Sequence, residues 1–175
     1  IAAEDGGVVY INNGATLETG SVGGRGQWVS SVYANDNSEV WLKGLIKITH
    51  NGGAEEGAAG LTSQNGLISS SGDLDIMTTG APGLYATGAS GQIVGQRAKI
   101  RLGGTPVTSL PAPTPSAAVS PYAILAIDGG QITLASADVA TAAPNSYAVL
   151  ARRAGTVKIT GSDGLRSLVA TTGDE

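Results

Sequence analysis

The stretch GLYATGASGQIVG (83–95) is a unit that the chain repeats. It holds an apolar pair and a small residue, then a turn of small and polar residues, then a β-branched residue. Val32-Tyr33-Ala34 lies upstream, and Ile124-Leu125-Ala126 and Val149-Leu150-Ala151 lie downstream. Aligned on the first apolar residue, the copies start at Val32, Leu61, Leu84, Ile124 and Val149, spaced by 29, 23, 40 and 25 residues. Leu168-Val169-Ala170 reads as the opening of a further copy.

Each copy then turns. Asn35-Asp36-Asn37-Ser38 precedes Val40, Gln64-Asn65-Gly66 precedes Ile68, and Gly88-Ala89-Ser90-Gly91 precedes Ile93. Asp128-Gly129-Gly130 precedes Ile132, and Ala154-Gly155 precedes Val157. Asn, Asp and Gly accept the left-handed backbone that tight corners need. Short alternating runs follow: Ile46 and Ile48 against Lys47 and Thr49, Ile100 and Leu102 against Lys99 and Arg101, Ile132 and Leu134 around Thr133, Val157 and Ile159 around Lys158. Period two with one apolar side marks strands with one buried face. Gly or Pro interrupts most windows before three helical turns can form, and the best helical candidate is Ser136 to Ala143, stopped by Pro144.

A repeating unit of short strands and Gly/Asn corners predicts a parallel β-helix. Six coils at about 4.8 Å each make a rod about 30 Å long. The rival is an antiparallel β-sandwich, whose hairpins would use Asn13-Gly14, Asn51-Gly52 or Asn65-Gly66.

Composition agrees. The 175 residues contain no Phe and no Cys, and 27 are Gly. A core without Phe must be built from small and branched side chains stacked in narrow layers. The absence of Cys removes disulfides and thiolate metal sites. A net charge of −4 with no basic block disfavours nucleic acid as a partner. Residues 104–121 carry Pro106, Pro111, Pro113, Pro115 and Pro121. That density blocks sheet pairing, so the segment reads as a loop inserted between coils. The whole of 1–175 is expected to be one domain, with 1–27 as first coil or cap. The abrupt ends, without an initiator Met, read as a fragment of a longer chain, with weak end-to-end association of its strand edges as the expected behaviour.

GLYATGASGQIVG, YAILAIDGGQITL (122–134) and YAVLARRAGTVKITG (147–161) resemble repeats in the passenger domains of bacterial autotransporters of the pertactin-like kind. The likeness covers roughly 28–175, with Val8-Val9-Tyr10-Ile11 and Gly14-Ala15-Thr16-Leu17 as similar strands ahead of it. The resemblance implies an all-β fold: a right-handed, single-stranded parallel β-helix of about six irregular coils with one Pro-rich loop insertion. It further implies a bacterial cell-surface or extracellular location, with the parent chain anchored in the outer membrane by a C-terminal barrel that is absent here. The implied role is a non-enzymatic adhesin or virulence-associated passenger that binds a host protein or glycan. The matched positions are structural, so no functional residue carries over.

The residues add their own candidates. Tyr33, Tyr85, Leu125 and Leu150 align on one outward parity, with Thr62 interrupting the row and Tyr122-Ala123-Ile124-Leu125 leaving both parities open in the last two copies. Such an apolar stripe marks either an interface or a face covered by the Pro-rich loop or a neighbouring corner. Trp41, between Val40 and Leu42, faces outward and is a candidate for stacking on a sugar or a protein. Trp28 opens a strand and either binds in the same way or packs under the first corner. His50, the one histidine, reads as a solvated residue at the end of a strand. Asp73 and Asp75 share a face and are the candidates for a calcium site or an acid–base pair, against the plainer reading of solvated carboxylates. Glu55 and Glu56 read the same way, in a Gly/Ala-rich loop. No catalytic motif, cofactor or metal site is expected. The alternatives are a polysaccharide-cleaving β-helix enzyme, which needs carboxylates and a basic residue together in a groove, and a purely structural stalk. The lack of a regular Thr-x-Thr ladder disfavours an ice-binding β-helix.

Overall fold

The computed structural model describes residues 1–20, 30–51, 59–103, 122–142, 146–161 and 167–171. Trp28, Glu55, Glu56 and the Pro-rich segment 104–121 lie outside the described residues. The described chain is all-β and contains no helix.

Strands recur in threes. The first repeat comprises β1 (Ala2–Ala3), β2 (Val8–Ile11) and β3 (Ala15–Gly20). The second has β4 (Val32–Asn35), β5 (Glu39–Leu42) and β6 (Ile46–Asn51). The third has β7 (Leu61–Gln64), β8 (Leu67–Ser70) and β9 (Leu74–Thr78). In the fourth and fifth, a short strand, β10 (Leu84–Thr87) or β12 (Tyr122–Ile127), precedes one long strand, β11 (Gln92–Leu102) or β13 (Gln131–Thr141). The sixth has β14 (Tyr147–Ala151), β15 (Thr156–Ile159) and β16 (Leu168–Thr171).

Every strand pairs parallel with its equivalent one repeat on. The first strands form a six-stranded sheet in the order β1-β4-β7-β10-β12-β14, and the others form a ten-stranded sheet. Its long strands bridge two faces: β11 pairs with β8 through residues 92–95 and with β9 through 98–102. Among the described residues, the one antiparallel contact outside these ladders is an isolated bridge, Asn35 to Asn65. The antiparallel sandwich is therefore ruled out.

Register is what the repeats specify. Val32, Leu61, Leu84, Ile124 and Val149 are successive Cα partners. So are Val9, Val40, Ile68, Ile93, Ile132 and Val157. A third row runs Leu17, Ile48, Ile76, Ile100, Val139. All three rows point into one apolar cluster, fully buried in the middle repeats and partly exposed at Val9, Leu17, Val149 and Val157. A one-residue slip of any strand would turn its apolar row outward, so burial locks the register.

Two expectations are corrected. The helix expected over Ser136 to Ala143 does not form at Ser136–Thr141, which belongs to β13 and pairs with Arg97–Leu102; Ala143 lies outside the described residues. Leu168-Val169-Ala170 does not open a new repeat, because it pairs with Asp138–Ala140 and is the third strand of the sixth.

In four of the six repeats the corner between first and second strands has a common build. Two residues in the left-handed region precede a glycine or serine: Asp5-Gly6 before Gly7, Asp36-Asn37 before Ser38, Asp128-Gly129 before Gly130, and Arg153-Ala154 before Gly155. The last residue donates its N–H to the carbonyl three residues back, as in Gly130 to Ile127 at 2.8 Å and Gly155 to Arg152 at 2.9 Å. Gly66, Gly91, Gly130 and Gly155 are glycine for lack of room: a Cβ there would lie 2.1 to 2.9 Å from neighbouring backbone.

Candidate functional surfaces

Trp41 lies on the outer face of the ten-stranded sheet, since Val40 and Leu42 on either side are buried. Its register partner in the first repeat is Tyr10, which is 62% exposed. The same outward row continues through Ser69 and Val94. A parallel row two residues earlier holds Val8, Glu39, Leu67 and Gln92. The Trp41 Nε1–H donates to Glu39 Oε2 at 2.8 Å, which fixes the indole against the sheet. Tyr10 was legible as part of a strand but not as the neighbour of Trp41. That pairing needs the register across a whole repeat.

Tyr33, Tyr85, Leu125 and Leu150 do share one outward row, on the other sheet. They are not equally open. Tyr85 and Leu125 are buried, each 9% exposed, and pack with Ala59 and Ile127 in a second cluster separate from the interior one. Leu150 and Tyr122 lean on its edge. Tyr122 also stacks on Tyr147, with ring centroids 6.0 Å apart. Tyr33 is partly buried, and its hydroxyl donates to Gln64 Oε1 at 3.1 Å. Burial, then the carboxylates of Glu4 and Asp36, raise its pKa. The stripe and Trp41 thus occupy different sheets and do not form one surface.

Asp73 and Asp75 line a groove of about 310 Å³ together with Leu45, Arg97, Lys99 and Asp138. Asp73 is held by a bidentate pair with Arg97, whose Nε donates to Oδ1 at 2.8 Å and whose Nη2 meets Oδ2. The hydrogen bond to Asp73 and its charge raise the Arg97 pKa. Lys47, Asp75, Lys99 and Asp138 are successive register partners, so charge alternates in sign from strand to strand. Arg101 reaches along the stack to Asp138, 2.8 Å to Oδ2 and 3.0 Å to its carbonyl. Basic residues therefore do stand beside these carboxylates, which the sequence did not suggest. Among the described residues, no three His, Cys, Asp or Glu side chains are placed to hold a metal ion.

His50 is not a solvated strand end. It is 2% exposed, inside β6, in an inward row with Thr19 and Thr78. Its Nδ1 meets Thr19 Oγ1 at 2.8 Å, with Ser31 Oγ at 3.4 Å, and its Nε2 has no hydrogen-bond partner among the described residues. Burial pushes its pKa down to about 4. The alternation Ile46, Ile48, His50 carried the signal, and the Asn-Gly that follows obscured it.

Comparison with known proteins finds no matching family model, no matching curated protein and no matching solved structure.

Proposed function

We propose that the chain is a right-handed, single-stranded parallel β-helix from the passenger of an autotransporter-like bacterial surface protein, and that it acts as a non-enzymatic adhesin. In this reading the stack is a stiff scaffold. Its inward rows hold register, and its outward rows are free to vary and bind host protein or glycan away from the cell. The observation that supports it is the parallel, in-register pairing of six successive repeats over interior rows of Val, Leu and Ile. Such a stack ties each repeat to its neighbours and tolerates change on its outer face. The resemblance of 83–95, 122–134 and 147–161 to passenger repeats points the same way. The test is adhesion of beads coated with the chain to host-cell monolayers and matrix proteins. Saturable adhesion, competed by the soluble chain, is expected. No adhesion to any cell or matrix surface would leave the structural stalk as the better account.

One observation favours a second reading. The groove at Asp75 and Lys99 brings carboxylates and basic groups together, as a polysaccharide-cleaving site requires. Release of reducing or unsaturated sugars from a uronate panel, abolished by Asp75→Asn, would carry that reading. Absence of release across the panel would end it.

A further inference from the structure

We infer that the outer face of β2, β5, β8 and the start of β11 is a stacking platform for a neutral glycan, with Tyr10 and Trp41 as its two aromatic contacts. This names a ligand class for the binding role proposed above and rests on that reading. Tyr10 and Trp41 are direct register partners, so their backbones lie about 4.8 Å apart along the stack. The C–H face of a sugar ring packs on an aromatic ring, and its hydroxyl edge needs polar groups beside it. Both are present. The rings sit in one row, and Ser69, Gln92 and Glu39 lie among or beside them. Glu39 already holds the indole edge at 2.8 Å, so the platform is ordered before a ligand arrives.

The chemistry of the face selects among ligands. Of the eight residues that the two rows place on β2, β5, β8 and β11, Glu39 is the one that carries a formal charge, and the Trp41 row meets Lys158 only on β15, four strands away. None of these eight would neutralise a uronate, a sulfate or a phosphate, so an acidic glycan gains no partner among them and meets a carboxylate. Size selects against a folded protein. Four strands by two outward positions span roughly 14 by 7 Å, far less than the about 800 Å² per partner of a stable protein interface. A few sugar units match that footprint. Val8, 48% exposed, and Val94, 40% exposed, extend the apolar surface at either end.

The test is titration of the chain with neutral cello-, malto- and xylo-hexasaccharides, with oligogalacturonate as the charged comparator. Binding is read by isothermal titration calorimetry in every variant, and the Trp41 indole N–H resonance reports the contact in the unsubstituted chain. Saturable binding of at least one neutral probe is expected, weakened about tenfold or more by Trp41→Ala and several-fold by Tyr10→Ala. Trp41→Phe, which keeps a ring on the sheet, should retain most of the affinity and guards against a folding defect. Tyr147→Ala, on the other sheet, should change nothing. No saturable binding of any neutral probe, or binding indifferent to Trp41→Ala, overturns the inference. So does a Trp41-dependent protein ligand without glycan binding. Bead adhesion that survives Trp41→Ala while glycan binding is absent sinks this inference and leaves the adhesin reading standing.

Discussion

Replacing Gly130 by Ala should damage the stack far more than one methyl group suggests. The Cβ would lie 2.3 Å from the Ala86 carbonyl oxygen, 2.4 Å from its carbon and 2.6 Å from Thr87 N. All three are backbone atoms of the preceding repeat, so no side chain can swing aside. Reaching ordinary contact requires a shift of about 1 Å. That shift strains two hydrogen bonds between repeats, Gln131 N–H to Gly91 carbonyl at 2.8 Å and Thr156 N–H to Gly130 carbonyl at 2.9 Å. Overpacking costs about 1–3 kcal/mol, and each weakened bond about 1 kcal/mol, giving about 3–5 kcal/mol. Gly6→Ala is the control. Gly6 has a φ of +79°, yet no atom of the described residues lies within 4 Å of a Cβ there, so only the left-handed backbone costs, about 1 kcal/mol. Urea unfolding followed by far-UV circular dichroism compares the two. A Gly130→Ala loss no larger than that of Gly6→Ala would refute the claim that close stacking of corners, rather than backbone freedom, demands glycine there.

His50 is buried neutral with its pKa lowered from 6.5 to about 4, so the unfolded chain takes up a proton first as pH falls. Stability should be full above about pH 6.5 and decline towards pH 4, by roughly 3 kcal/mol from this residue. His50→Thr, matching Thr19 and Thr78 in its row, should remove that part of the slope, and equal slopes in both proteins would count against it. Ala154 has a φ of 62°, so Ala154→Gly should relieve a left-handed cost of about 1–2 kcal/mol against a smaller entropic loss. A net gain of about 0.5–1 kcal/mol is expected as a higher urea midpoint, and a lower midpoint would contradict the corner geometry.

Much of the repeat was legible because burial writes it directly. Val32, Leu61, Leu84, Ile124 and Val149 can be aligned by eye, and they are register partners in the sheet. The corners at Asn35–Ser38 and Asp128–Gly130 announce themselves through residues that tolerate positive φ. Arg153 and Ala154 take the same conformation without such residues, which only the stack imposes. What depends on pairing between repeats stayed hidden. Tyr10 meets Trp41, and Asp73 meets Arg97, only once strands far apart in sequence are laid side by side. The merging of two strand positions into β11 and β13 was hidden for a related reason. Their mid-strand parity shift, at Gln96–Arg97 and Ser136–Ala137, breaks the alternation that marks a single strand.

The most direct test of the account is a distance series along one outward row. The chain has no cysteine, so paired cysteines introduced at Val8 with Gln131, and at Val8 with Thr156, take spin labels cleanly. Val8, Glu39, Leu67, Gln92, Gln131 and Thr156 are successive register partners. At about 4.8 Å per strand the backbone separations should be about 19 and 24 Å, each a single narrow distribution in pulsed electron resonance, the second longer by one strand spacing. Broad distributions, or a Val8–Thr156 distance no longer than Val8–Gln131, would contradict a register-locked stack.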